Sequence, residues 1–293
     1  GGRSPLNLSR CQKATCQGQP VNMESTGKDL LRLILQNRQE DLPRLVYSDW
    51  LEDQFRQNND PALEARAEFI RLQVQLGSVE GIQPDQRLIF RREQHLKQTY
   101  GAFWAGELVH LAADWNFRRG FIHHLQMDAK RFIDLHDFLA ENHPIEHLHL
   151  IWGMETPRER AEDLGKIANL PLVEELISMD LTGAGVGSDG VSQLACGRPL
   201  EKLVELILPG NRIGPRGLKN ILQAPWISSL QKLDLADNDI NQQGVRLLHD
   251  FLLAARESGE VLSFQRIDLR GNPLSVAGVR LLRSPLLARL VRW

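Results

Sequence analysis

The chain has 293 residues, 42% of them hydrophobic, and a formal net charge of −2. That is enough apolar material for one or two domains with a substantial core, and beyond a basic stretch at the start no segment has the cationic excess that nucleic-acid binding needs. No apolar run reaches the roughly 20 residues of a membrane span, so the composition predicts a soluble monomer without membrane or nucleic-acid partners.

Residues 1–22, GGRSPLNLSRCQKATCQGQPVN, carry three basic and no acidic residues and no apolar stretch of the kind that drives secretion. Met23 is the better start, and 1–22 read as a disordered or non-native tail. Cys11 and Cys16 in this tail, with Cys196 far away, form neither a disulfide framework nor a zinc spacing, which points to a reducing cytoplasm.

A helical segment follows. KDLLRLILQN supplies Leu30, Leu31, Leu33, Ile34 and Leu35, and DLPRLVYSDWLED has a proline near a helix start, with Leu45, Val46, Trp50 and Leu51 as its expected buried side. A third helix is expected over 62–76, carrying Phe69, Ile70 and Leu72, and further ones over 84–99 and 103–112. Residues 23–116 thus read as a small all-α domain. Asp49 and Glu52 with Arg44 and Arg71 read as ion pairs that lock it, in preference to a partner-binding patch.

The rest of the chain repeats. Leu203, Leu206, Leu208, Asn211, Ile213 and Gly217 recur 27 residues later as Leu230, Leu233, Leu235, Asn238, Ile240 and Gly244. Shifted 27 residues the other way, the frame falls on Leu176, Met179, Leu181, Ala184, Val186 and Gly190. After a seven-residue insertion it returns as Phe264, Ile267, Leu269, Asn272, Leu274 and Gly278. Weaker copies begin at Ile145, Leu148, Leu150 and at Ile122, Leu125, Met127, giving about six repeats over 117–293. Each reads as a short strand, an asparagine turn and a helix, so the chain advances by about one strand spacing, roughly 4.8 Å, per copy. The asparagine amide is expected to bond backbone groups of neighbouring turns.

On these residues the segment 117–293 resembles the leucine-rich repeat family, and the glycine after the turn with a full helix resembles its ribonuclease-inhibitor-like class. Gly153 and Ala184 stand where that family usually has asparagine or cysteine. The resemblance implies an α/β solenoid, with a parallel sheet on the concave side and helices outside, used for protein recognition. LPRLVYSDWLED and RAEFIRLQ resemble a bacterial repeat-companion domain at Pro43, Arg44, Leu45, Val46, Tyr47, Asp49, Trp50, Leu51, Glu52, Glu68, Phe69, Ile70, Arg71 and Gln73. NFRRGFIHHL, residues 116–125, is similar to the usual lead-in from that module to the first repeat. The module has no activity implied by the resemblance; a physical role is to cap the solenoid end.

Motifs for chemistry are few. GAGVGSDG matches GxGxxG formally at Gly185, Gly187 and Gly190, but the repeat frame already accounts for Gly187 and Gly190. DNDINQ begins like a calcium loop, yet lacks the sixth-position glycine and has Leu248 in place of the bidentate glutamate. No nucleophile–base arrangement emerges, so no enzyme and no cofactor are expected. His124, His147, His149 and Asp180 have ligand types that suit zinc, should neighbouring strands bring them together. They are the one metal candidate set, and a metal-dependent hydrolase the matching alternative.

The expected function is therefore a non-enzymatic scaffold that binds a protein partner on the concave face. Its side chains are His124, Gln126, His147, His149, Ser178, Asp180, Glu205, Ile207, Lys232, Asp234, Arg266 and Asp268, which alternate with inward leucines. Asp180, Asp234 and Asp268 form an acidic column interrupted by Ile207, fitting a partner with a basic stripe and an apolar anchor. The alternative from another class is regulation of an enzyme, as by a GTPase activator, with Arg212 the candidate arginine.

Overall fold

The computed structural model describes residues 23–77 and 86–293. The expectations for 1–22, Cys11 and Cys16 included, lie outside the described residues. Helices come first: α1 (Met23–Gln36), α2 (Leu42–Asn58), α3 (Pro61–Gly77), α4 (Arg87–Ala105) and the short α5 (Leu108–Leu111). Pro43 stands in the first turn of α2, where a missing N–H costs nothing.

Two local expectations are corrected. In place of helices over 84–99 and 103–112, α4 runs unbroken through the buried Gly101 and stops only at Gly106, whose φ is +57°. The buried side of α2 is Arg44, Ser48, Leu51 and Gln54, while Val46 faces outward at 43% exposure. Polarity misleads there. Arg44 is buried because its guanidinium donates to the carbonyls of Glu40 (2.6 Å) and Asn37 and lies 5.9 Å from the centre of the Phe121 ring. It does not pair with Asp49 or Glu52; Arg71 does, at 2.7 Å to each.

The sheet has eight strands in sequence order: β1 (Asp114–Arg118), β2 (Phe121–Asp128), β3 (His147–Ile151), β4 (Ser178–Asp180), β5 (Glu205–Ile207), β6 (Lys232–Asp234), β7 (Arg266–Asp268) and β8 (Val291–Arg292). All neighbours are parallel except β1 and β2. That hairpin departs from the all-helical reading of 23–116. Its two-residue turn, Arg119 and Gly120, has φ of 51° and 82°, the pair of positive values a type I′ turn requires.

Helices α6 (Ala129–Asn142), α7 (Pro157–Ile167), α8 (Gly187–Ala195), α9 (Gly214–Leu222), α10 (Gln242–Ser258) and α11 (Val276–Leu282) connect the parallel strands, each packed on the next. Leu125, Leu148, Met179, Leu206, Leu233, Ile267 and Val291 stand opposite one another in one row and are all buried. Burying each such side chain contributes about 1.5–3 kcal/mol. Leu194, Leu218, Ile221, Val245 and Leu248 of the helices share that core, so the helices cover the leucine face of the sheet.

The turn asparagines form the expected ladder. Asn238 Nδ2 donates to the Leu208 and Ala236 carbonyls, while its Oδ1 accepts from the Asn211 and Ile213 amides. Asn211 and Asn272 repeat the scheme one turn to either side. Gly153 and Ala184 have no side-chain amide to extend the ladder; their own carbonyls accept from the Arg160 guanidinium of α7, at 3.1 Å and 2.8 Å, where the carbonyls of Asn211 and Asn238 accept from the Gly187 and Gly214 amides.

The N-terminal helices dock on the first strands in two places: α3, α4 and α5 join the sheet's core through Phe69, Leu96, Leu108, Phe117 and Leu125, and α1, α2 and α3 pack Ile34, Leu51 and Ile70 around Phe121. Phe69 meets Phe117 edge-on at 5.4 Å between ring centres, and the Arg66 guanidinium lies 4.9 Å from the Trp104 ring centre. Polar ties follow the same seam: Arg119 to Asp41 (3.0 Å), Arg38 to the Ile145 carbonyl (2.8 Å) and Gln39 to Glu146 (2.8 Å).

Candidate protein-binding face

Opposite the leucines, alternation turns two rows of side chains onto the open face of the sheet. One row, in register across six strands, is His124, His147, Ser178, Glu205, Lys232 and Arg266; the other is Gln126, His149, Asp180, Ile207, Asp234 and Asp268. Ten of the twelve are half-buried or exposed, as the alternation requires. Ser178 and Asp268 are buried, which corrects their assignment. Ser178 is too short to rise above His147 and Glu205 on either side. Asp268 is enclosed by Arg266 (2.8 Å) and Arg270 (2.9 Å), so it offers no carboxylate to a partner.

The acidic column has a backbone cause. Asp180 Oδ1 accepts from the Thr182 amide at 2.8 Å, Asp234 Oδ1 from Ala236 at 3.0 Å, and Asp268 Oδ1 from Arg270 at 3.2 Å. Each aspartate therefore caps the turn that leaves its own strand, two residues on. At the same offset from Ile207 stands Pro209, which has no N–H to donate. Ile207 sits where a carboxylate would have nothing to hold.

Electrostatics divides the face. Glu205 pairs with Lys232 at 3.6 Å. Burial would raise the Asp268 carboxyl, but hydrogen bonds from Arg270 and Arg266 outweigh it and hold it at about 2. At the β2–β3 end, burial pushes His147 below the ordinary histidine range, helped by Arg118 and His124.

The metal candidates do not converge. His124 is in register with His147, and His149 Nδ1 stands 4.0 Å from Asp180 Oδ2. The ring that meets His147, however, is His123, 5.3 Å away between centres, and its pKa is lowered to about 3 by burial and by His147. Among the described residues no group of three or more His, Cys, Asp or Glu is placed to hold a metal ion. His123 and Arg160 were missed in the sequence: neither has a frame position, and only tertiary proximity marks them.

The other motifs fall into the turns. Gly185 and Gly187, both at φ +62°, occupy the left-handed positions that Arg212 (54°) and Gly214 (59°) take in the next copy. Asp237 and Asp239 of the calcium-like stretch are left-handed turn residues too. Arg212 is thus an exposed turn residue between β5 and α9.

Residues 227–248 match a family model, that of the leucine-rich repeat, and span β6, its Asn238 turn and the first half of α10. That segment is similar to a leucine-rich repeat. No curated protein matches it. The strands on either side of this repeat keep its register and its turn chemistry, through Asn211 and Asn272. Among the described residues no helix is long and apolar enough to cross a membrane.

Proposed function

We propose that the protein is a non-enzymatic, cytoplasmic interaction scaffold: a ribonuclease-inhibitor-like leucine-rich repeat solenoid that holds a protein partner on its open sheet face. The observation that carries this reading is the pair of in-register polar rows with one apolar residue, Ile207, at their centre. Leucine-rich repeats generally mediate protein contacts, which supports it. The N-terminal helices act as a companion module of the bacterial type, covering the apolar end of the repeats; the shared core and the Arg119–Asp41 tie support that role.

The test is affinity capture from the native lysate with the intact chain, with Ile207→Ala and with Asp49→Ala. A specific partner held by the intact chain and weakened by about 2 kcal/mol or more with Ile207→Ala, the scale of a hot spot, is the expected result. A partner indifferent to Ile207 and lost with Asp49→Ala would move the site to the N-terminal helices.

A further inference from the structure

Among the described residues, Asp180 and Asp234 of the second open-face row each keep one outward carboxylate oxygen. Asp180 and Asp234 each turn Oδ1 into the backbone. Oδ2 of Asp234 accepts no hydrogen bond among the described residues, and Oδ2 of Asp180 has only His149 at 4.0 Å. The neighbouring charges are matched within the protein, Glu205 by Lys232 and Asp268 by Arg266 and Arg270. Between the two free carboxylates, on the intervening strand, stands Ile207. Beside it, over β6, lies a hollow of about 100 Å³ with Ile207 and Leu233 as its apolar lining and the charged Glu205, Lys232, Asp234, Arg266 and Asp268 as its rim. It is smaller than the roughly 150 Å³ that holds benzene, which suits an aliphatic side chain better than a ring.

We propose that this face recognises an amphipathic α-helix of a partner protein, laid across β4, β5 and β6. The helix presents basic side chains at i and i+7 and an aliphatic one at i+3 or i+4. The inference rests on the open face being the binding surface and adds the partner's chemistry. Its warrant is spacing as well as charge. Strands lie about 4.8 Å apart, so carboxylates two strands apart are separated by about 9.6 Å. Seven residues of helix rise about 10.5 Å and return to the same side after two turns. An extended peptide repeats its side chains on one side at about 6.8 and 13.6 Å, which brackets the carboxylate spacing without matching it. The aliphatic side chain midway along the helix falls at Ile207, on the β5 edge of the hollow.

The experiment pans a displayed library of helical peptides on the full chain and on Asp180→Asn and Asp234→Asn. Asparagine keeps Oδ1 as the turn acceptor and removes the charge, so melting should be unchanged. Enriched peptides should carry Lys or Arg at i and i+7 around an aliphatic residue. Each asparagine variant should weaken them about threefold, as expected for half-exposed ion pairs, and 0.5 M salt should weaken them further. Peptides lacking the basic pair, insensitive to both asparagine variants but lost with Lys232→Ala or Ile207→Ser, would overturn the basic helix and leave the open-face reading standing. No enrichment, or enrichment indifferent to every open-face substitution, would overturn both.

Discussion

The strand-end aspartates and the turn asparagines do different jobs with similar atoms. An aspartate closes its own turn, whereas an asparagine ties two neighbouring turns, so its loss strands groups in both. Asn238→Ala removes bonds to the Leu208 and Ala236 carbonyls and the acceptor for two amides. Leaving such buried groups unpaired costs about 1–3 kcal/mol, to be read as a lowered urea midpoint. A midpoint unchanged within error would mean that the turn is hydrated. Arg160→Met probes the turns that lack an asparagine: it keeps much of the aliphatic stem and leaves the carbonyl of the buried Ala184 without its side-chain donor, while the exposed Gly153 carbonyl turns to water. A smaller loss of about 1 kcal/mol is expected, since one part-buried bond is lost.

A strand of three residues contributes little alone; its side chains act by which face they take. Leu206 and Ile207 are adjacent on β5, the first fully buried and the second half-buried on the open face. Leu206→Ala should cost about 2–5 kcal/mol through the cavity it leaves, whereas Ile207→Ala should stay within about 0.5 kcal/mol, as for a surface change. Chemical denaturation of the two variants side by side checks the register: equal losses would place both in the core. The β1–β2 hairpin has its own weak point at Gly120. There φ is +82°, and an added Cβ would run into Ile70 of α3. Gly120→Ala therefore forces a left-handed alanine and separates hairpin from helix, and thermal melting should fall by several degrees.

Helices α3 to α5 share the core of the sheet, α1 to α3 close a second, smaller cluster on Phe121 of β2, and the polar ties at Arg38, Gln39 and Arg119 join the two. Unfolding in urea should consequently proceed as one transition by both circular dichroism and tryptophan fluorescence; two separated transitions would show independent domains. Acid should loosen the molecule near this seam. Burial lowers His123 to about 3 and His143 to about 4, the latter helped by Arg66 of α3. Below the ordinary histidine value of about 6.5 the unfolded chain takes up protons that the native state refuses. Stability should be full above that pH and decline as the pH falls towards 4. Burial raises the Glu146 carboxyl, so protonating it acts in the opposite direction and softens the decline. His123→Gln should flatten the profile of melting temperature against pH between 4 and 6.5.

The repeats were legible because their determinants are local and periodic. A leucine pattern of fixed spacing and an asparagine at a constant offset specify strand, turn and inward face, and the strands fall into the register those positions imply. The twelve open-face positions followed from alternation alone. Their availability did not, since Asp268 was taken by Arg266 and Arg270, and Arg270 stands outside the strand. The buried Arg44 and the β1–β2 hairpin were equally hidden, because burial of an arginine and pairing of a short strand depend on what arrives from elsewhere in the chain. Arg160 makes the same point: it completes turns 7 and 24 residues away. Periodicity determined the architecture, since each copy can bury its leucines only against the next. Tertiary contact decided which polar side chains remain free to meet a partner, because a charge matched inside the molecule is no longer available outside it.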